Sequence, residues 1–503
     1  MTAQTKTATL ALAALAVCAV SACATRVSDA TIALDAGGGP VVISTVPGAA
    51  AAPSASTGGT TAAVPVTTPA TTAATTAAGG GVAAAPPAVG GSGTNAPAAS
   101  TTDASSKPGG ASPAPRATSG ASAAGPSAAS AACTTAGSPL VIGQVGSFSG
   151  IVGPVVAGGR IGLQVWAKAV NAAGGIACHP VQIYSEDDAS DPSKSAAAVQ
   201  DLAQNKHVVA LTGSFVPISI SGFTSGVNAA KIPAVGGDVL GPEWNQSPYM
   251  FPEGASIAGQ IYGAYKVAAS SGHNVLGILY CVEASVCTNA YNQTTTGGAA
   301  QKAGAKVAYQ AQVSLTQTDF TAQCQGAKSA GVTLLALAVD GSAMDRVARS
   351  CSALGYHPII ATAAVAIGGD QSADANLRSD NIALGSLVFP WTQSDNPAEA
   401  AYQSAMKTYA PGVATDGPSA GAWTSGMLLK TAIEKLGAAA RGPVTTAMVL
   451  QGLGLIKDET LGGLVAPITF TPGQPAPSGS CVFPMVLTPG GWTAPNGSTY
   501  TCP

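Results

Sequence analysis

The chain has 503 residues and 48.6 kDa, of which 9% are charged and 5% aromatic, with 62 Gly and 35 Pro. A formal net charge of −3 excludes a strongly basic nucleic-acid binder and a polybasic membrane-surface protein. Mean hydropathy is +0.31, but Ala and Gly supply it; beyond the N-terminus no apolar run approaches the ~20 residues of a spanning helix.

Residues 1–22 read as a secretory signal, with Lys6 in a short polar leader and an apolar run over 8–20. The run ends in Val20-Ser21-Ala22-Cys23, which resembles the lipobox of bacterial lipoproteins. That resemblance implies cleavage before Cys23 and a diacylglycerol on its sulfur, hence a protein held on the outer face of the cytoplasmic membrane. Two acyl chains anchor stably where one does not. The alternative is a secreted protein cleaved elsewhere.

Residues 23–137 are Ala, Thr, Ser, Gly and Pro, and between 36 and 132 the only charges are Asp103, Lys107 and Arg116. Without aromatic residues nothing offsets the entropy of ordering, so this stretch reads as a disordered tether, semi-extended where Pro is dense. Its Ser/Thr/Pro content resembles O-glycosylated stalks. Val41-Val42-Ile43 has strand character, but a lone strand has no partner there.

The body, 138–503, alternates strands and helices. Strands are expected at 140–143, 181–184, 208–212 and 232–235, and the pattern restarts at 275–280, 306–311 and 333–339. Leu163, Trp166 and Val170 recur at helical spacing before Gly174-Gly175, and Asp191-Pro192 marks the cap and first turn of a helix over 193–204. Nearly all-apolar strands fit parallel sheets buried on both faces. The fold class is α/β, two doubly wound Rossmann-like lobes of about 100–200 residues each.

Eight of the ten cysteines lie in or just before the body, an even number that suits disulfides in an exported chain. Spacing narrows the possible pairings only partly; the preferred set is Cys133–Cys178, Cys281–Cys287, Cys324–Cys351 and Cys481–Cys502. No Cys-x-x-Cys is present and His179, His207, His273 and His357 are scattered, which argues against a metal site. Phosphate-loop, dinucleotide, zinc-protease and nucleophile-elbow motifs are missing; Gly146-Ser147-Phe148-Ser149-Gly150 has its serines one place off. Glu186-Asp187-Asp188 reads as a solvated loop with its carboxylates bonded to nearby backbone. No enzyme and no cofactor is expected.

What remains is a set of small polar or Gly-rich loops at the C-terminal ends of strands, where open parallel sheets bind ligands. They span 146–150, 213–217, 236–238, 281–287 and 340–342, and loops from two lobes would face each other across a cleft. Their candidate ligand residues are Ser147, Phe148, Ser149, Ser214, Phe215, Val216, Gly237, Asp238, Ser285, Asp340 and Gly341.

The order and spacing of several segments resemble type I periplasmic binding proteins of the branched-chain amino-acid (Leu/Ile/Val) receptor family. They are Ile142-Gly143 through Phe148-Ser149-Gly150, Val170-Asn171-Ala172-Ala173-Gly174-Gly175-Ile176, Asp187-Asp188 with Asp191-Pro192, Ile232-Pro233-Ala234-Val235, and Ala353-Leu354-Gly355-Tyr356. The resemblance implies three hinge crossovers, near 251–254, 389–392 and 462–468, and hence lobes of 138–252 plus 391–463 and 253–390 plus 464–503. It also implies a monomer that closes on a small molecule and delivers it to an ABC importer permease; a sensor lipoprotein with the same fold is the alternative. The family's ligand residues map onto Ser214-Phe215-Val216 with Ile218 or Ser219, and onto Gly236-Gly237-Asp238. The acid that meets an amino-acid ammonium falls near Ala363-Ala364, where there is no carboxylate, so Asp340 or Asp238 would have to replace it or the solute is not an α-amino acid.

Overall fold

A computed structural model describes residues 42–43, 133 and 136–503. The signal at 1–22, Cys23 and the rest of the 23–137 stretch lie outside the described residues. Among the described residues no helix is long and apolar enough to cross a membrane.

The first lobe runs β1 (Val42–Ile43), β2 (Leu140–Gly146), α1 (Gly153–Ala172), β3 (Val181–Asp187), α2 (Pro192–Gln204), β4 (Leu211–Ser214), α3 (Ile220–Ala230), β5 (Ala234–Gly237) and β6 (Met250–Phe251). Its sheet has the order β1-β3-β2-β4-β5-β6 and every pairing is parallel. Inside the stretch read as tether, Val42 and Ile43 find a partner after all: they add to the free edge of β3, opposite Tyr184 and Ser185. Local signals set the start of α2 and the end of α1. Asp191 accepts from the Ser193 and Lys194 amides and caps α2, whose first residue is Pro192. α1 stops at Gly174 and Gly175, whose φ of +99° and +82° glycine adopts without strain.

β4 and β5 start later than expected from sequence, at Leu211 and Ala234. The Val208 amide still closes α2 by bonding the Leu202 carbonyl; the Val209 amide then donates to Val141 and the Ala210 carbonyl accepts from Gly143, while the Pro233 carbonyl accepts from the Leu211 amide.

The second lobe contains α4 (Ile257–Ser270), β7 (Val275–Cys281), α5 (Ser285–Thr294), α6 (Ala299–Ala303), β8 (Lys306–Val313), α7 (Thr321–Ser329), β9 (Leu334–Ala338), α8 (Gly341–Ala353), β10 (Ile359–Thr362), α9 (Gly369–Ala373), α10 (Ala375–Asp380) and β11 (Ile382–Ser386). The chain then forms α11 (Pro397–Tyr409) and α12 (Gly417–Glu434), which pack on α1, and α13 (Thr446–Gly454), which packs on α12. It ends in β12 (Phe483–Thr488) and β13 (Gly491–Thr493). The second sheet has the order β13-β12-β11-β10-β9-β7-β8; β7 to β11 are parallel and the last two strands antiparallel. This antiparallel ribbon at the edge has no counterpart among the strands expected from sequence.

The chain thus crosses between lobes three times, after β6, after β11 and after α13. The crossing segments touch: the Phe389 amide donates to the Leu464 carbonyl (2.8 Å), and Ala255 bridges to Gly479. Gly254 is held so close that a Cβ there would come within 2.1 Å of the Leu387 carbonyl oxygen.

Four disulfides join Cys133 to Cys178, Cys281 to Cys287, Cys324 to Cys351 and Cys481 to Cys502, the set preferred from spacing. Trp423 packs in the core at 4% exposure, edge-on to Tyr402.

Candidate functional site

Both sheets carry the inner order 2-1-3-4-5, here β3-β2-β4-β5-β6 and β8-β7-β9-β10-β11. In each, successive connections leave in opposite directions from the first strand, so the crevice opens at the C-terminal ends of β2 and β4 in one lobe and of β7 and β9 in the other. The lobes meet there. The turn at 364–366 lies against α1 and α12, and a Cβ on Gly417 would press within 2.2 Å of the Ala364 carbonyl oxygen.

Between them is a cavity of about 110 Å³. The first lobe lines it with Val152, Val155, Val156, Pro217, Ile218 and Leu240, all apolar. The second contributes Ile257, Ile261, Val286, Leu315, Leu337 and Val339 together with a group of alanines. Few polar side chains reach it, and most are already satisfied. Thr362 Oγ1 donates to the Leu337 carbonyl, and the Tyr265 hydroxyl pairs with Thr294 Oγ1 at 2.7 Å.

Asp340 is different. It lines the cavity at 7% exposure and caps α8 with Oδ1, which accepts from the Ser342 and Ala343 amides. Its Oδ2 is buried and has no hydrogen-bond partner. Burial holds this carboxyl above the ordinary carboxylate range, against the two amide bonds and the Arg346 charge, which lower it. A buried carboxylate oxygen without a donor is costly, and a ligand N–H or O–H would relieve it.

Of the twelve candidate residues, only Ile218 and Asp340 line this cavity. Ser147 is fully buried and donates to Asp188 Oδ1, while Ser219 bonds the other oxygen of the same carboxylate. Ser149 is exposed; its amide donates to Asp187 and its side chain does not cap α1. Phe148 is half-buried beneath the Arg160 guanidinium, 5.5 Å from ring centroid to Cζ. Ser214 Oγ accepts from the Val145 amide, and Phe215 and Val216 are fully buried in the core. Gly237 donates its amide to Glu253, and a Cβ on it would meet the Ser214 carbonyl at 2.1 Å. Ser285 begins α5 and is exposed; Gly341 is buried against Val155 and Gln371.

Asp238 is 1% exposed, lies outside the cavity lining and accepts from the Val216 and Leu240 amides and from Trp244 Nε1, so it braces two loops of the first lobe. Burial pushes its pKa up to about 6 despite those bonds. The acidic loop also differs from the solvated reading. Asp187 and Asp188 do bond the Ala189 and Ser190 amides, yet Asp188 is fully buried and Glu186 only 2% exposed. Among the described residues no group of three or more His, Cys, Asp or Glu is placed to hold a metal.

The cavity's alanines were not singled out from sequence. The signal was there in β9, Leu334-Leu335-Ala336-Leu337-Ala338, where a small residue at every second position after Leu334 puts alanine on one face.

A family model described as periplasmic binding protein matches residues 139–479, well over half of the chain. No curated protein matches its sequence. Among solved structures, a substrate-binding periplasmic protein from Ralstonia solanacearum is similar at 18% identity and a TM-score of 0.61, covering 70% of this chain and 98% of that one. A leucine-binding protein from Thermotoga maritima follows at 14% identity and 0.60, covering 72% and 99%. A fatty acid ABC transporter substrate-binding protein from Thermomonospora curvata has 16% identity and 0.58, covering 72% and 93%.

Proposed function

We propose that this chain, which belongs to the periplasmic binding protein family, is the lipid-anchored solute receptor of an ABC importer. Its solute is a small, largely apolar molecule with one hydrogen-bond-donating end, an amine above all. The observation that carries the reading is the interlobe cavity: apolar on the side of the first lobe, and marked on the other by the single unpaired oxygen of Asp340. The receptor binds by closing its lobes and carries out no reaction. Of the similar proteins, one is named for leucine and one for fatty acids, solutes with apolar parts, which supports an apolar cargo here.

The envelope arrangement follows from sequence. Cys23 carries the lipid on the outer face of the cytoplasmic membrane, 23–137 acts as the tether, and a monomeric body of lobes 138–252 plus 391–463 and 253–390 plus 464–503 presents solute to the permease. The test is the melting temperature of the chain against apolar amines, branched-chain amino acids, organic acids, polyols and sugars. A specific solute at a hundredfold excess over Kd adds ~2.7 kcal/mol of stability. The expected hits are apolar amines; a hit confined to sugars or polyols would contradict the reading.

A further inference from the structure

The half of the cavity inside the second lobe reaches deeper than the cleft. Ile278 on β7, Ala336 on β9, Ala361 on β10 and Ala383 on β11 are register partners and form one row across the sheet. Three adjacent alanines thus stand on a helix-covered sheet face, where bulky branched side chains usually fill the layer. The opposite face of β9 and β10 carries Leu335, Leu337 and Ile360.

The covering helix does not make up the missing volume. α4 presents Ile257, Ile261, Ala264 and Tyr265 to the cavity but is drawn toward β11, where a Cβ on Gly385 would lie 2.5 Å from the Gln260 carbonyl oxygen. Space is therefore left over β7, β9 and β10, against the methyls of Ala336 and Ala361. The Cys281–Cys287 disulfide ties the end of β7 to the first turn of α5, and Cys287 lines the cavity. An apolar cavity on the order of 150 Å³ stays dry and takes up a benzene-sized guest, and the volume here is comparable.

We propose that this slot receives the hydrocarbon end of the solute, a straight alkyl chain of a few carbons whose donor group sits at Asp340, and that Ala336 and Ala361 set the chain length accepted. This rests on the solute-receptor reading above. A gap between a helix and a sheet takes a straight chain more readily than a branched one. Beyond Asp340, the polar side chains Tyr265 and Thr362 that line it are both engaged, which does not suit a sugar.

The test is calorimetric titration of the full chain with the n-alkylamines from ethylamine to hexylamine, and with the n-alkanols of the same lengths. Affinity is expected to rise about fourfold per added methylene until the slot is full. In Ala336→Leu, and independently in Ala361→Leu, the rise is expected to stop at shorter members; a melting curve for each variant shows that it is folded. Affinities that stay flat with chain length in both series overturn the slot, as does an undiminished rise in both folded variants. A rise with the alkanols but no binding of amines upholds the slot and removes Asp340 as the site of a cationic head group, so the two readings fail separately.

Discussion

Glu253 sits in the first crossover with its carboxylate fully buried, accepting from the Gly237 amide (3.1 Å) and from Ser425 Oγ (3.3 Å). Loss of water outweighs these bonds and pushes its pKa from 4.5 up to about 8. The folded chain therefore keeps a proton that the unfolded chain gives up above about 4.5. Unfolding releases that proton throughout the window between the two values, so stability falls as pH rises through it and the contribution is gone above about pH 8. In Glu253→Gln the neutral amide cannot ionise, and the melting temperature is expected to decline less between about pH 6 and 9 than in the wild type. Parallel curves for the two proteins would show that Glu253 does not titrate there. At this scale the sequence was legible where a side chain acts on its own neighbours, as with Asp191 at the N-terminus of α2. It was not legible where the partner is distant. Ser147 and Ser219 look like ligand groups until Asp188, 41 and 31 positions away, is seen to hold both.

Among the elements, α7 and α8 depend on one covalent link. Cys324 lies on α7 and Cys351 on α8, both buried, 27 positions apart. Closing a loop of that length removes conformational freedom from the unfolded chain, and losing it costs about 3–4 kcal/mol. The double variant Cys324→Ala, Cys351→Ala is expected to lose that much in denaturant unfolding; a loss under about 1 kcal/mol would mean that helix packing alone holds the pair. Strands such as β2, β7 and β9 could be read because parallel strands buried on both faces are almost continuously apolar; β6, β10 and β11, of two, four and five residues, are too short for such a run to mark them and were not expected. β12 and β13 escaped because their pairing depends on the chain returning to the second lobe after α13, which local patterning does not express. β1 escaped for the same reason: two residues become a strand only through the free edge of β3.

For the whole molecule, two lobes with matching strand order place their switch points face to face, and three adjacent crossovers suit hinge closure around a small guest. The resemblance read from scattered segments foresaw this architecture, since order and spacing along the chain are what those segments preserve. It did not foresee the character of the cleft. That depends on which side chains meet across the sheets, and here alanines and valines meet with Asp340 as the exception. The most direct test of this account is a calorimetric comparison of wild type and Asp340→Asn with the tightest-binding apolar amine. Asp340→Asn is expected to bind ten- to a hundredfold more weakly, the loss of ~1.5–3 kcal/mol that a charge-assisted hydrogen bond contributes. Equal affinity in the two proteins, with both folded, would contradict it, because the one unpaired polar group in the cavity would then play no part in recognising the solute.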